Sequence, residues 1–304
     1  MRKGLKTCLI ISLFILFAIS CASFSALLGY TLGTSQQPEE KTTEKETIIE
    51  KQVYYEKEGA ERYFDENSNK KEFQKLLSDA EDHFTFTYEV QNQKDFEKDR
   101  DFILANLEHQ YSRLSILFQT ETSVKITVIL TDDLEQFKED LNLDTESGIV
   151  PYSAFAIGND KIEIYINPLF TADKFDIAHT ISHELVHIFQ SQVNTYISLF
   201  HPDWFIEGMA ESFAFPSEEV LIHGSIYKEV PDLDMLDSVI RSPQAENYLV
   251  GYDASHMFFL YLLDKYGEDK MIQLVQVESN FETNFTRIVG IAADDAYATW
   301  LKTL

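Results

Sequence analysis

Residues 177–190 read IAHTISHELVHIFQ. Within them, His183-Glu184-Leu185-Val186-His187 has the form His-Glu-x-x-His. Residues four apart sit one above the other on the same face of an α-helix. His183 and His187 are therefore spaced to grip one metal ion from one side. Glu184 projects near the same edge and is placed to take a proton from an attacking water. Ile177, Ala178, Ile181, Leu185, Val186, Ile188 and Phe189 supply apolar side chains for burial, and no Pro or Gly interrupts the run. A helix is expected through the whole stretch. His179, one turn before His183, lacks a following Glu and is expected on the helix surface or behind the site.

Metal sites in hydrolases commonly take three protein ligands and keep one position for water. Seventeen residues after His187 begins Trp204-Phe205-Ile206-Glu207-Gly208-Met209-Ala210-Glu211, which puts Glu207 twenty residues on. Glu207 is the expected third ligand. Glu211, one helical turn later, is expected behind it, orienting a ligand imidazole through a hydrogen bond.

HELVH followed by WFIEGMAE resembles the gluzincin peptidases, and within them the bacterial peptidase-MA-like domains. The resemblance implies Zn²⁺ held by His183, His187 and Glu207, with Glu184 as general base. It implies a zincin-like α+β fold: a small N-terminal mixed sheet on the metal helix, a helical C-terminal part, and a cleft between them. It also implies that Lys161–Ile166, the strand before the metal helix, is a sheet edge along which an extended peptide pairs. The oxyanion donor of such enzymes comes from the C-terminal half, and Tyr252 matches best, with Tyr248 and His256 as rivals on its helical face. The other large His-Glu-x-x-His family, the metzincins, is excluded: Gln190 stands where a Gly is needed and Val193 where a third His is needed.

The formal charge of the 304 residues is −26. Three of the 25 basic side chains, Arg2, Lys3 and Lys6, lie in the first thirty residues, which hold no acid; the other 22 face 51 carboxylates. So acidic a surface repels nucleic acid and anionic headgroups, which excludes nucleic acid as a partner of the folded domain. Apolar residues make up 44% and aromatics 13%, enough for a sizeable core. Both cysteines, Cys8 and Cys21, lie in the N-terminal apolar run, so the remainder has neither a disulfide nor a paired-cysteine metal site.

From Cys8 to Tyr30 no charge occurs, and 23 apolar or small residues are enough to cross a bilayer. Basic residues before the run and acidic sequence after it predict a cytoplasmic N-terminus and an extracytoplasmic remainder. Residues 1–32 are expected to be a basic tip and uncleaved signal anchor. The alternatives are a cleaved signal near Ser23-Phe24-Ser25 and a lipoprotein attached at Cys21. Residues 33–71, rich in Gln, Glu, Lys and Thr, are expected to form a solvated stalk, and residues 72–304 the catalytic domain.

Within that domain, alternation predicts strands over 83–90, 124–130 and 161–166, with a further strand before Ile157. Helical spacing of Phe96, Ile103, Leu107, Tyr111, Leu114 and Phe118 predicts a helix over 95–118, and Thr131-Asp132-Asp133 caps a short helix containing Phe137. The Glu207 helix begins near Pro202, Trp204 packs, and Gly208 is expected to bring this helix close to the metal helix. A long helix follows over 245–265, with a buried stripe of Leu249, His256, Phe259, Leu260 and Leu263, ended by Gly267. Short helices complete the chain, with core positions Ile272, Leu274, Phe285, Val289, Trp300 and Leu304. The expected protein is a membrane-tethered, extracytoplasmic zinc endopeptidase acting on peptides or proteins. The alternatives are a catalytically idle zinc-binding or adhesion module, and a hydrolase of another amide.

Overall fold

Four short β-forming segments and a succession of amphipathic helices make up the computed structural model, which describes residues 70–90, 96–140, 152–158, 160–166, 173–214, 230–241 and 248–304. The apolar run at 8–30 and the stalk up to residue 69 lie outside the described residues. Among the described residues no helix is long and apolar enough to cross a membrane.

The first element is helix α1 (Lys70–His83), which buries Phe73, Leu76 and Ala80 along one stripe. The stretch 33–71 expected as stalk therefore ends inside a helix, because Lys70 and Lys71 sit on the solvent side of α1. Strand β1 (Phe84–Glu89), helix α2 (Arg100–Phe118) and strand β2 (Ile126–Thr131) follow. β1 and β2 pair in parallel, so α2 is their crossover. Ile103, Leu107, Tyr111, Leu114 and Phe118 of α2 are all buried, as their spacing predicts. Helix α3 (Leu134–Asp140) starts where Asp133 Oδ1 accepts the backbone N–H groups of Glu135 and Gln136, both at 3.1 Å.

Strands β3 (Tyr152–Ile157) and β4 (Lys161–Ile166) form an antiparallel hairpin, and β4 also pairs in parallel with β2. The sheet order is β1-β2-β4-β3. This corrects the expectation for Lys161–Ile166, which is an inner strand. Tyr152–Ile157 folds back on it through a tight turn with Gly158 at φ 64° and takes the outer position. Both faces of the sheet carry packed side chains at this end, although Phe155 of the outer strand stays 40% exposed. Ile126, Val128, Leu130, Ile162 and Ile164 join the helical core, while Phe137 of α3 covers Phe155 and Tyr165 at ring separations of 5.9 and 5.7 Å.

Among the described residues all later elements are helical: α4 (Lys174–Val193), α5 (Ile197–Phe200), α6 (Asp203–Phe213), α7 (Leu233–Ile240), α8 (Tyr248–Tyr266), α9 (Glu268–Val275), α10 (Phe281–Val289) and α11 (Ala293–Leu301). The result is a small mixed sheet with a mostly helical remainder, the α+β class expected. Asp173 caps α4, its carboxylate accepting from Phe175 N at 2.8 Å. Tyr111 and Phe118 of α2 pack on Phe189 of α4. Helix α8 buries Phe259, Leu260 and Leu263 of the predicted stripe and other residues besides, while His256 is only partly buried and the Leu249 side chain lies outside the described residues. Phe258 meets Trp204, Tyr297 and Trp300, while Phe259 meets Phe205 and Phe213. Covered from two sides, α8 needs apolar residues over most of its circumference. Gly267, at φ 88°, ends it. Leu304 is only partly buried, whereas Ile272, Leu274, Phe285, Val289 and Trp300 are core.

Candidate metal centre

Two histidines one turn apart on α4 and two glutamates one turn apart on α6 face each other. His183 Nε2 lies 3.1 Å from His187 Nε2 and 3.2 Å from Glu207 Oε2, and His187 Nε2 lies 3.5 Å from Glu207 Oε2. All three side chains keep some exposure, between 12% and 20%, so the site is not sealed from solvent. Ligands bonded at ~2.0–2.1 Å to a tetrahedral centre stand about 3.3–3.4 Å apart, and the observed separations bracket that edge. Two imidazole nitrogens and one carboxylate oxygen converging in this way can hold a metal ion.

Each ligand histidine has a partner behind it. His183 Nδ1 lies 3.1 Å from Glu211 Oε1, and Glu211 Oε2 lies 3.2 Å from His179 Nε2. Glu211 therefore lies beside the His183 imidazole, and His179 beside Glu211. His187 Nδ1 lies 2.8 Å from Gln190 Oε1, and Gln190 Nε2 donates to the Ile206 carbonyl at 3.0 Å. Gln190 is a site residue that sequence reasoning missed. Its signal is a fully buried polar side chain three residues after His187 on an otherwise apolar face.

Glu184 is 8% exposed, and its Oε2 accepts the Ala156 backbone N–H at 2.7 Å. Burial raises its pKa, and the neighbouring His187 and His183 only partly offset that. Because Ala156 N–H points off the sheet towards Glu184, Ala154, two residues back, presents its peptide groups to the same side of β3. The outer strand thus runs beside the carboxylate.

Helix α6 is pinned from all sides, which fixes Glu207 and Glu211. At its start, Trp204 N donates to Asp237 Oδ1 at 3.0 Å, and Arg241 Nη2 meets Asp203 Oδ1 at 3.0 Å. The latter pair is exposed and contributes at most ~1 kcal/mol, so it orients more than it stabilises. At the far end the Phe213 carbonyl accepts from Gln110 and Arg113 of α2. Trp204 is 2% exposed and packs against Phe205, Phe258 and Phe281. Gly208 brings α6 close to α8, not to the metal helix: a Cβ there would lie 2.5 Å from the Ser255 carbonyl oxygen, which is backbone and cannot move aside. The connector from α4 to α6 is clamped at both ends to the C-terminal end of α9. Asn194 Nδ2 donates to Val275 O at 2.8 Å and to Val277 O at 2.9 Å, and His201 Nε2 donates to Leu274 O at 2.7 Å.

The candidate oxyanion donors lie on α8. Tyr252 is partly buried against the main core, one turn before His256. Burial holds the His256 imidazole down at about 4, with Glu211 opposing and His179 and His183 reinforcing it. His256 therefore belongs to the electrostatic surroundings of the centre and is neutral at pH 7. Tyr248 is the first residue of α8, and its side chain lies outside the described residues.

The charges are strongly coupled. Burial disfavours protonating His183, but Glu211 and Glu207 overcome it and lift its pKa well above the usual imidazole range; Glu207 does the same for His187 to a smaller degree. In return, the histidines hold Glu207 and Glu211 far below the usual carboxylate range against the burial penalty. Metal must displace those imidazole protons. Affinity is therefore expected to rise as pH climbs through the elevated histidine values and to fall as pH drops, by about 10-fold per pH unit for each proton displaced. The fall begins above 6.5, the ordinary histidine value. Calorimetric titration at pH 7 in buffers of different ionisation enthalpy should show protons released on metal binding. No release would contradict this coupling.

The chain matches no protein-family model, no curated protein and no solved structure.

Proposed function

We propose that the protein is a zinc-dependent peptidase of gluzincin type, held at the outer face of the cell membrane by its N-terminal apolar run. One observation carries the reading: His183, His187 and Glu207 converge at metal-ligand spacing, with the buried carboxylate of Glu184 on the same helix. Two imidazoles and one carboxylate form the donor set of many catalytic zinc sites, which keep a fourth position for water. Zinc bound there supplies Lewis acidity and lowers the pKa of water towards ~7.

The chain's own groups do the rest. Glu184 takes the proton of the attacking water and later delivers it to the leaving amine. Its burial raises its basicity, which suits a group that must both accept and return a proton near neutral pH. Ala156 N–H holds one carboxylate oxygen, leaving the other for proton transfer. The outer side of β3, through the peptide groups of Ala154 and the carbonyl of Ala156, takes an extended peptide by backbone pairing and lays the scissile carbonyl beside the centre. Tyr252, or His256 one turn on, donates to the oxyanion.

The test is hydrolysis of an unfolded protein by the purified full chain, before and after chelation. Cleavage that chelation abolishes and added zinc restores is the expected result. A protein that stays zinc-loaded and cleaves nothing would instead be the idle binding module.

A further inference from the structure

Gln190 is a neutral polar side chain that bonds to groups on both ligand-bearing helices. It is completely buried on α4, its Oε1 is 2.8 Å from His187 Nδ1, and its Nε2 is 3.0 Å from the carbonyl of Ile206, the residue before Glu207 on α6. The direction of these bonds follows from one fact: a backbone carbonyl can only accept. The NH₂ end of the amide must therefore face Ile206, and the oxygen end must face His187. An amide oxygen also only accepts, so Nδ1 of His187 must carry a hydrogen. In a neutral imidazole the lone pair is then on Nε2, the atom aimed at His183 Nε2 and Glu207 Oε2.

We propose that Gln190 is a positioning residue that sets the metal affinity of the centre. One end of its amide fixes the tautomer and ring orientation of His187, and the other holds α6 beside Glu207. The inference rests on the metal-centre reading given above. It also accounts for the residue type. His183 already has a carboxylate behind it in Glu211, and Glu184 and Glu207 add two more within the same small volume. A fourth carboxylate behind His187 would add like charge and would set an acceptor against the Ile206 carbonyl. A neutral amide avoids both.

The experiment uses the full chain with Zn²⁺ and Co²⁺ as probes. Q190L keeps the bulk and loses both bonds. Its affinity for Zn²⁺ and Co²⁺ should fall ~10–100-fold, with a changed visible spectrum of the Co²⁺ form. Q190E keeps an acceptor for Nδ1–H and loses the donor to Ile206, so it should lose thermal stability without metal yet bind metal more tightly than Q190L. Long-range nitrogen–proton NMR on the Zn²⁺-loaded natural protein should place the His187 hydrogen on Nδ1; this arm needs no substitution and holds even if a variant does not fold. Unchanged affinity and spectrum in Q190L would overturn the proposal, as would equal losses in Q190E and Q190L, or a hydrogen on Nε2. A natural protein that takes up neither ion overturns the metal-centre reading itself, and this inference with it.

Discussion

Replacing Glu184 by Gln should leave the metal bound and lower peptide hydrolysis by ~10²–10⁴-fold, the usual contribution of a positioned general base. The substitution is nearly isosteric. A glutamine can still turn an oxygen towards Ala156 N–H, which the carboxylate now accepts at 2.7 Å, so β3 and α4 stay together. None of the three converging ligand atoms belongs to Glu184, so the donor set is intact. What is lost is a carboxylate whose buried setting raises its affinity for a proton. An amide cannot accept that proton at neutral pH. Turnover and metal content should be measured on the same preparation. Wild-type turnover in a metal-loaded variant would remove Glu184 from the reaction.

Losing the metal should be the largest single change in stability. The ion would join α4 to α6 through His183, His187 and Glu207, and around those side chains three carboxylates crowd into one partly dry volume. A ligand present at 1,000 times its dissociation constant stabilises the folded state by ~4.1 kcal/mol. For a domain of about this size each kcal/mol moves Tm by roughly 2–4 °C. Chelation is therefore expected to lower Tm by ~8–16 °C. Glu207→Ala should start near the chelated value and respond little to chelator. Scanning calorimetry of both proteins, with and without chelator, checks this. An equal chelator effect on the variant would mean that the stabilising ion sits elsewhere.

The parts of the centre that were legible in the sequence are those that local helix geometry dictates. His183, Glu184 and His187 need only 3.6 residues per turn to share a face, and Glu207 and Glu211 follow the same rule on α6. That two such helices meet is not local information. It came from the pairing of HELVH with WFIEGMAE as a pattern, and the structure brings the two together. Gln190 was not legible because its role depends on Ile206, sixteen residues on and across a helix interface. The partner of Gly208 was misplaced for the same reason. A glycine announces close approach, but only the packing of α8 against α6 reveals that Ser255 is what approaches.

Strand order was the other gap. Alternation along KIEIYI and the segment before Ile157 predicts strands without predicting neighbours. The short turn at Gly158 was the available sign that β3 and β4 form a hairpin, and a hairpin at the end of the sheet is what puts β3 outside β4. Helix α1 was hidden by composition. KKEFQKLLSDAEDH continues the charged character of the residues before it, while the spacing of Phe73, Leu76 and Ala80 is that of a buried stripe.

The proposed function requires one ion held by His183, His187 and Glu207. It is tested most directly by the metal content of the purified full chain, measured by elemental analysis beside Glu207→Ala prepared identically. The expected result is one zinc per natural chain and a clear loss in the variant. Equal metal in the two proteins, or none in either, would contradict it.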